Sequence, residues 1–433
     1  MSRPSTALAA VAAALFLAVA PPSGGVAAAA PPEGACRNPE PAHPVVAAEP
    51  WAQQLFDLRR TWTHSTGAGV LVAVVDSGVD ADHPQLAGKV LPGSDFFLVG
   101  DYPGNFDCVS HGTAVASIIA ASPAAGVGFR GIAPDARILP VRITDRELND
   151  GGDPTPIDPA AIADGIRYAA DQDAKVINVS LSGYGDYTVI REAIAYAQSR
   201  DALLVAAVGN RQQDGADGAP SFPAGYDGVL GVGSVDIAGA RSGNSQIGPY
   251  VDLVAPGDGV LAATRAGGHD YQKGTSFAAP FVAGTAALVR AAWPELTAPQ
   301  VAQRLTATAA PARGGKDSPE YGAGVVDPYR AVTEGLTGDE PAAMPRVATP
   351  VPDQDALREA AWWSDMGAGA KIGAGAVVLA IVVAAVLAAV LPRGRRRRWV
   401  PVRATPLPAE PVREEPPEEM FLFPPPPSER TGV

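Results

Sequence analysis

The stretch Gly274-Thr275-Ser276-Phe277-Ala278-Ala279-Pro280 sets one hydroxyl, Ser276, among residues too small to hinder close backbone approach. An apolar helical pattern, Phe281 to Trp293, follows at once. A serine at the start of a helix has unpaired backbone N–H groups beside it, and these point toward wherever negative charge develops. That is one half of an acyl-transfer site. The other half requires an imidazole to take the hydroxyl proton and a carboxylate to hold the imidazole. Val70 to Val75 is a continuous valine-rich run, the pattern of a strand buried on both faces, and Asp76 ends it before a Ser77-Gly78 turn. Ligands gather at the carboxyl ends of such strands, which places Asp76 as a functional carboxylate. Taken alone, it reads as a turn or cap residue. His111 stands in Ser110-His111-Gly112-Thr113, before the small-residue helical pattern Ala114 to Ala121. A helix start lowers a histidine pKa and favours the neutral imidazole that a general base must be.

The three residues follow one another as Asp76, His111, Ser276, one of the chain orders in which such triads are built. Around them, in order, stand VAVVDSGVD, SHGTAVASIIAA, GIAPDARILPVRI, VINVSLSG, VAAVGN and GTSFAAP. With these blocks the chain resembles the subtilase family of serine peptidases from Trp51 to Leu336. The resemblance implies an α/β, subtilisin-like fold with a mostly parallel central sheet and helices on both faces. It implies Ser276 as nucleophile, His111 as general base and then acid, and Asp76 as the anion that orients the imidazole. Asn210 would place its side-chain amide on the oxyanion, with the Ser276 N–H as second donor. Ser180, Leu181, Ser182 and Gly183 would bind substrate by pairing with its backbone as an added strand. Ser182 departs from the glycine common at that position, so the resemblance does not carry over the shape of the specificity pocket.

Composition narrows the alternatives. The chain has 433 residues and a formal charge of −13, which argues against a nucleic-acid partner. Long basic runs occur only at Arg393 and Arg395 to Arg398. The five histidines are scattered and no CxxC or HExxH occurs, so neither a metal nor another cofactor is expected. Many subtilases bind calcium, but here Asp80 and Asp82 read as turn and cap residues.

Residues 1–30 carry Arg3, an apolar run and small residues near Ala28 to Ala30, the pattern of a cleavable secretory signal. Residues 31–50 hold six prolines without hydrophobic periodicity and are expected to wrap the surface as an extended strap. They are too few for a folded pro-domain and are expected to stay on the mature protein. The catalytic domain is assigned to 51–336 and a proline-rich linker or stalk to 337–371. Residues 372–391 are twenty without a charge, enough to span about 30 Å as a transmembrane helix. The arginines after them place the C-terminal tail, 392–433, in the cytoplasm as a disordered segment. The protein is thus expected in the cell membrane as a single-pass type I chain, its catalytic domain extracytoplasmic. Cys36 and Cys108 are the two cysteines, and in an oxidising compartment an even count favours a disulfide between them over two free thiols.

The order of signal, short tethered arm, catalytic domain, stalk and single C-terminal span resembles the mycosins, membrane-anchored subtilases of actinobacterial type VII secretion systems. The DCxxHGT form from Asp107 adds to that likeness, although Val109 and Ser110 differ from the usual mycosin residues. The resemblance implies protein substrates and association with the secretion membrane complex. An endopeptidase of narrow specificity is the first expectation. The alternative is a scaffold that stabilises the complex with proteolysis secondary, and a general degradative subtilase is a third.

Overall fold

Valine, isoleucine, leucine and alanine fill the strands on both sides, so the sheet they form must be covered on both faces. The computed structural model describes residues 33–336 apart from 37–38, 99, 146–156, 184, 213–218, 314 and 316–317, all within the first of two units, Met1–Thr349. The expected signal, stalk, transmembrane helix and tail lie outside the described residues. Seven strands make the main sheet: β1 (Leu71–Asp76), β2 (Ser94–Asp95), β3 (Arg137–Arg142), β4 (Val176–Val179), β5 (Leu203–Ala207), β6 (Val229–Val235) and β7 (Leu253–Pro256). Their order is β2-β3-β1-β4-β5-β6-β7, and every pairing is parallel. The α/β architecture expected from the sequence is therefore present. A separate antiparallel hairpin joins β8 (Asp258–Ala263) to β9 (His269–Lys273).

The side-chain period of two divides each strand between two cores. Val72 and Val74 of β1 face the layer that contains α3 (His111–Ala120) and α6 (Thr275–Ala292). Ala73 and Val75 face the opposite layer, with α4 (Pro159–Asp171) and α5 (Thr188–Ser199). Leu203 and Val205 against Leu204 and Ala206 divide β5 in the same way. Asp76 has the parity of Val72 and Val74, so the alternation alone sends its carboxylate toward α3 and α6. The chain leaves β1 for β3 on one side and reaches β4 on the other, making β1 the point where strand order reverses. That is where an open parallel sheet leaves a crevice at its carboxyl edge.

The helix α6 is long and apolar enough to cross a membrane, yet it is buried nearly throughout and serves as the central core helix. Four shorter helices flank this layer: α1 (Trp51–Phe56), α2 (Leu58–Thr61), α7 (Ala298–Ala307) and α8 (Pro328–Thr333). The described part of the strap forms neither helix nor strand and is held by main-chain bonds. Glu40 N–H donates to Cys108 O at 3.0 Å, His43 N–H to Gly267 O at 3.0 Å, and His269 N–H to Pro44 O at 3.1 Å. Gly268, at φ 84°, lets His43 O approach so closely that a Cβ there would stand 1.7 Å from it. Cys36 and Cys108 are joined in a disulfide with Cα atoms 5.4 Å apart, as the cysteine count led us to expect.

Candidate active site

β1 delivers Asp76 to the crevice and α3 delivers His111. Nδ1 of the imidazole lies 2.7 Å from Asp76 Oδ1, and both side chains are buried to 1% exposure. Nδ1–H donates to the carboxylate in this arrangement, which leaves Nε2 as the basic nitrogen. Asp76 Oδ1 also accepts the Ser77 N–H at 2.7 Å, so the carboxylate is fixed from its own turn. Close approach of strand and helix depends on Gly112, where a Cβ would meet Gly78 O at 2.1 Å. Ser110, just before the helix, has φ 65° and accepts the Arg265 N–H on its hydroxyl at 2.9 Å.

Ser276 is the second residue of α6, at 3% exposure, and its Oγ makes no hydrogen bond within the described residues. Its neighbour Phe277 packs on the His111 ring with centroids 5.0 Å apart. Gly274, at φ 144°, turns the chain into the helix. A Cβ on Gly274 would stand 3.1 Å from Asn210 Nδ2 and 3.4 Å from Ser276 Oγ, so amide and hydroxyl flank the same small space. Asn210 Oδ1 accepts both the N–H and the hydroxyl of Thr275, at 2.8 and 3.1 Å. Thr275 Oγ1 in turn accepts the Gly209 N–H at 3.1 Å. With its oxygen committed to Thr275, the amide turns its nitrogen toward Gly274 and Ser276.

Pro280 lies inside α6 and has no N–H for the carbonyl four residues back, which is that of Ser276. Ser180 Oγ donates to this carbonyl at 2.7 Å, and Asn178 Nδ2 donates to Ser180 Oγ at 2.8 Å. Ser180 is thus buried beneath Ser276. Gly183 spends both main-chain groups on Phe222, at 2.8 Å each way. Leu181 is partly buried and Ser182 exposed, and these two form the open part of the segment expected to pair with substrate.

Beneath Asp76 and His111 lies a group that sequence reasoning missed. Asp107 is buried at 3% exposure. Its Oδ1 accepts Ser77 Oγ–H and Val109 N–H, each at 3.0 Å. Its Oδ2 accepts Thr113 N–H at 2.9 Å and Thr113 Oγ–H at 2.7 Å. Burial pushes its carboxyl above the usual carboxylate range, opposed by the bonds from Thr113 and Val109, while the nearby Asp76 carboxylate pushes the same way as burial. Its only mark in the sequence was the DCxxHGT spelling. Beyond it, Arg142 is fully buried against Asp95 at 2.8 Å and between the rings of Phe97 and Phe106.

Comparison with known proteins identifies the family of this chain. The profile of the Subtilase family matches residues 67–324. Mycosin-4 of Mycobacterium tuberculosis (strain ATCC 25618 / H37Rv) is 39% identical, over 71% of this chain and 76% of that protein. Thermitase of Thermoactinomyces vulgaris is 37% identical, over 58% of this chain and 85% of its own length. Among solved structures, that of the MycP3 protease from the type VII (ESX-3) secretion system is 35% identical and covers 67% of this chain and 89% of its own. It superposes with a TM-score of 0.59.

Proposed function

Because the chain belongs to the subtilase family of serine peptidases, we propose that it cleaves proteins outside the cytoplasm through Asp76, His111 and Ser276, tethered to the membrane by residues 372–391 and associated with a type VII secretion complex. Ser276 Oγ attacks the scissile carbonyl carbon while its proton passes to His111 Nε2. Asp76, bonded to Nδ1, holds the tautomer and balances the imidazolium that forms. Asn210 Nδ2 and the Ser276 N–H receive the oxyanion. His111 then returns the proton to the leaving amine, and water repeats the cycle on the acyl-enzyme.

The observation that carries this reading is the buried 2.7 Å contact of His111 with Asp76 beside the helix start that bears Ser276. The open main chain of Leu181 and Ser182 supports an extended substrate segment lying along that edge. The secretion link and the tether rest on the mycosin relatives and on the uncharged run before Arg393.

A fluorophosphonate probe tests the chemistry without knowledge of the substrate. It should label the full-length chain at Ser276 and fail on Ser276→Ala; an unlabelled parent chain would sink the reading. Secretome comparison of parent and Ser276→Ala strains then names substrates. Restored secretion in a deletion strain by Ser276→Ala, without cleavage, would favour the scaffold instead.

A further inference from the structure

Asp76 and His111 sit on separate elements, one ending a strand and the other starting a helix. Their 2.7 Å contact therefore depends on whatever holds strand end and helix start in register. Ser77, next to Asp76, has a hydroxyl that accepts the Gly112 N–H at 2.9 Å and donates to Asp107 Oδ1. Gly112 is the residue after His111. Thr113, one further on, donates its N–H and its hydroxyl to Asp107 Oδ2 while accepting the Asp80 N–H at 3.0 Å. Ser110 makes no side-chain cap to α3. The first turn of the helix is instead capped by Ser77 and Asp107, so the group that caps the helix is the group that grips the strand end. Both hydroxyls already accept main-chain N–H groups, which directs their protons to Asp107. Four donors on one carboxylate favour its ionised form and oppose the upward push of burial on its pKa.

We propose that Asp107 is a positioning residue of the peptidase reaction, a second buried carboxylate that locks the Asp76 turn to the His111 helix. The inference rests on the peptidase reading above. Its charge interacts with that of Asp76, which holds the imidazole at 2.7 Å, so the Asp107 anion favours the cation that forms there. The other charged groups packed around this region are Asp76 on β1, Asp80 in the following loop, and Arg265 from the hairpin turn. Arg265 Nε donates to Asp107 O at 2.8 Å. The Arg142–Asp95 pair completes the set, with Arg142 Nη2 3.9 Å from Cys108 Sγ. None of them replaces the four bonds to the Asp107 carboxylate.

Asparagine at this position keeps the shape but turns an amide N–H₂ toward one pair of donors. The helix start should shift and the imidazole should lose its alignment. The experiment follows fluorophosphonate labelling of the full-length chain from pH 5 to 8, separating the maximal rate from the half-saturating concentration. In this reaction Ser276 Oγ forms a bond to phosphorus, fluoride leaves, and His111 takes the proton. Asp107→Asn should lower the maximal rate by about tenfold to a hundredfold, the range expected for a small misplacement of reacting groups. Half-saturation should stay within about threefold, because the variant does not touch the binding edge. The acidic limb of the rate should move by about half a pH unit toward acid, because an anion that favoured the imidazolium is gone. Ser77→Ala removes the link and keeps the charge, so it should slow labelling with the acidic limb unmoved; this variant carries the test if Asp107→Asn does not fold. Parental rates and an unmoved limb in Asp107→Asn, or parental rates in Ser77→Ala, would overturn the inference. A parent chain that is not labelled at all would instead overturn the peptidase reading.

Discussion

Ser180 Oγ donates to the carbonyl of Ser276 at 2.7 Å, taking the place of the N–H that Pro280 cannot supply. The proline and the serine thus form a pair across 100 residues of chain, with the Ser276 carbonyl between them. Removing the hydroxyl leaves that buried carbonyl without a donor, a loss of about 1–3 kcal/mol. Ser180→Ala should therefore lower both stability and the labelling rate of Ser276. Pro280→Ala restores a helical N–H, so the double variant Ser180→Ala/Pro280→Ala should recover most of the loss. Denaturant unfolding of the four forms gives the coupling directly. Additive effects would show that the two residues do not share the carbonyl.

Asp76→Asn should leave the fold intact and reduce turnover by about 10⁴, because an asparagine facing Nδ1 no longer selects the productive tautomer. Single-turnover acylation by a peptide ester measures it. A rate near that of the parent would remove Asp76 from the catalytic set.

Asn210→Ala should cost about 10²–10³ in turnover with little change in half-saturation, since the oxyanion exists only beyond the ground state. Thr275→Val is a milder version. It frees the Asn210 oxygen from the hydroxyl while the Thr275 N–H bond persists, so its effect on the rate should be smaller and in the same direction.

His269 should make stability depend on pH. Its Nδ1 accepts the Val46 N–H of the strap at 3.2 Å and its Nε2 meets Gln85 Oε1 at 2.7 Å, an arrangement suited to the neutral ring. Burial, and then repulsion by His83, lowers its pKa to about 4. An unfolded histidine titrates near 6.5. Between those values the unfolded chain holds a proton that the folded chain does not. Stability from this residue is complete above about pH 6.5 and declines as the pH falls toward about 4, by about 3 kcal/mol in total. Burial lowers the His83 pKa too, which adds a loss of the same sign. Thermal unfolding at pH 7 and pH 4.5 should show the drop, and His269→Gln should flatten it.

The disulfide closes a loop with its cysteines 72 positions apart. Chain entropy assigns such a cross-link about 4 kcal/mol. A Cys36→Ser/Cys108→Ser chain should unfold at lower denaturant. It should also be cut more readily in the strap by an added protease, because the arm then depends on main-chain bonds such as those of Glu40 and His43. Equal midpoints for the two chains would count against a stabilising role.

Much of the proposed catalytic set could be read from residue order because each member is announced locally. Asp76 ends a two-sided apolar run, His111 and Ser276 open helical patterns rich in small residues, and Asn210 follows a buried strand. Ser180 was legible as part of the site but not in its role. An inward serine and an outward one have the same spelling, and the need for a donor appears only when Pro280 and Ser276 are seen on one helix turn. Asp107 was passed over for a related reason. An acidic residue beside a cysteine carries no sign of burial, and the Ser77 hydroxyl joins the nearby donors of Val109 and Thr113 only after strand and helix have met.

Sequence by itself determined what is periodic or local. The alternation along β1 assigned the Asp76 side chain to a face, the missing N–H of Pro280 left one helical carbonyl in need, and two cysteines made the pairing of Cys36 with Cys108 the natural choice. Tertiary structure decided which distant groups answer those needs: Ser180 for the Ser276 carbonyl, Thr275 for the Asn210 oxygen, Asp107 for the turn that carries Asp76. The reason is physical. A backbone preference acts over a few neighbouring residues, whereas a buried polar atom must be satisfied by whatever the packed chain brings within about 3 Å, and that partner is chosen by the meeting of elements far apart in sequence.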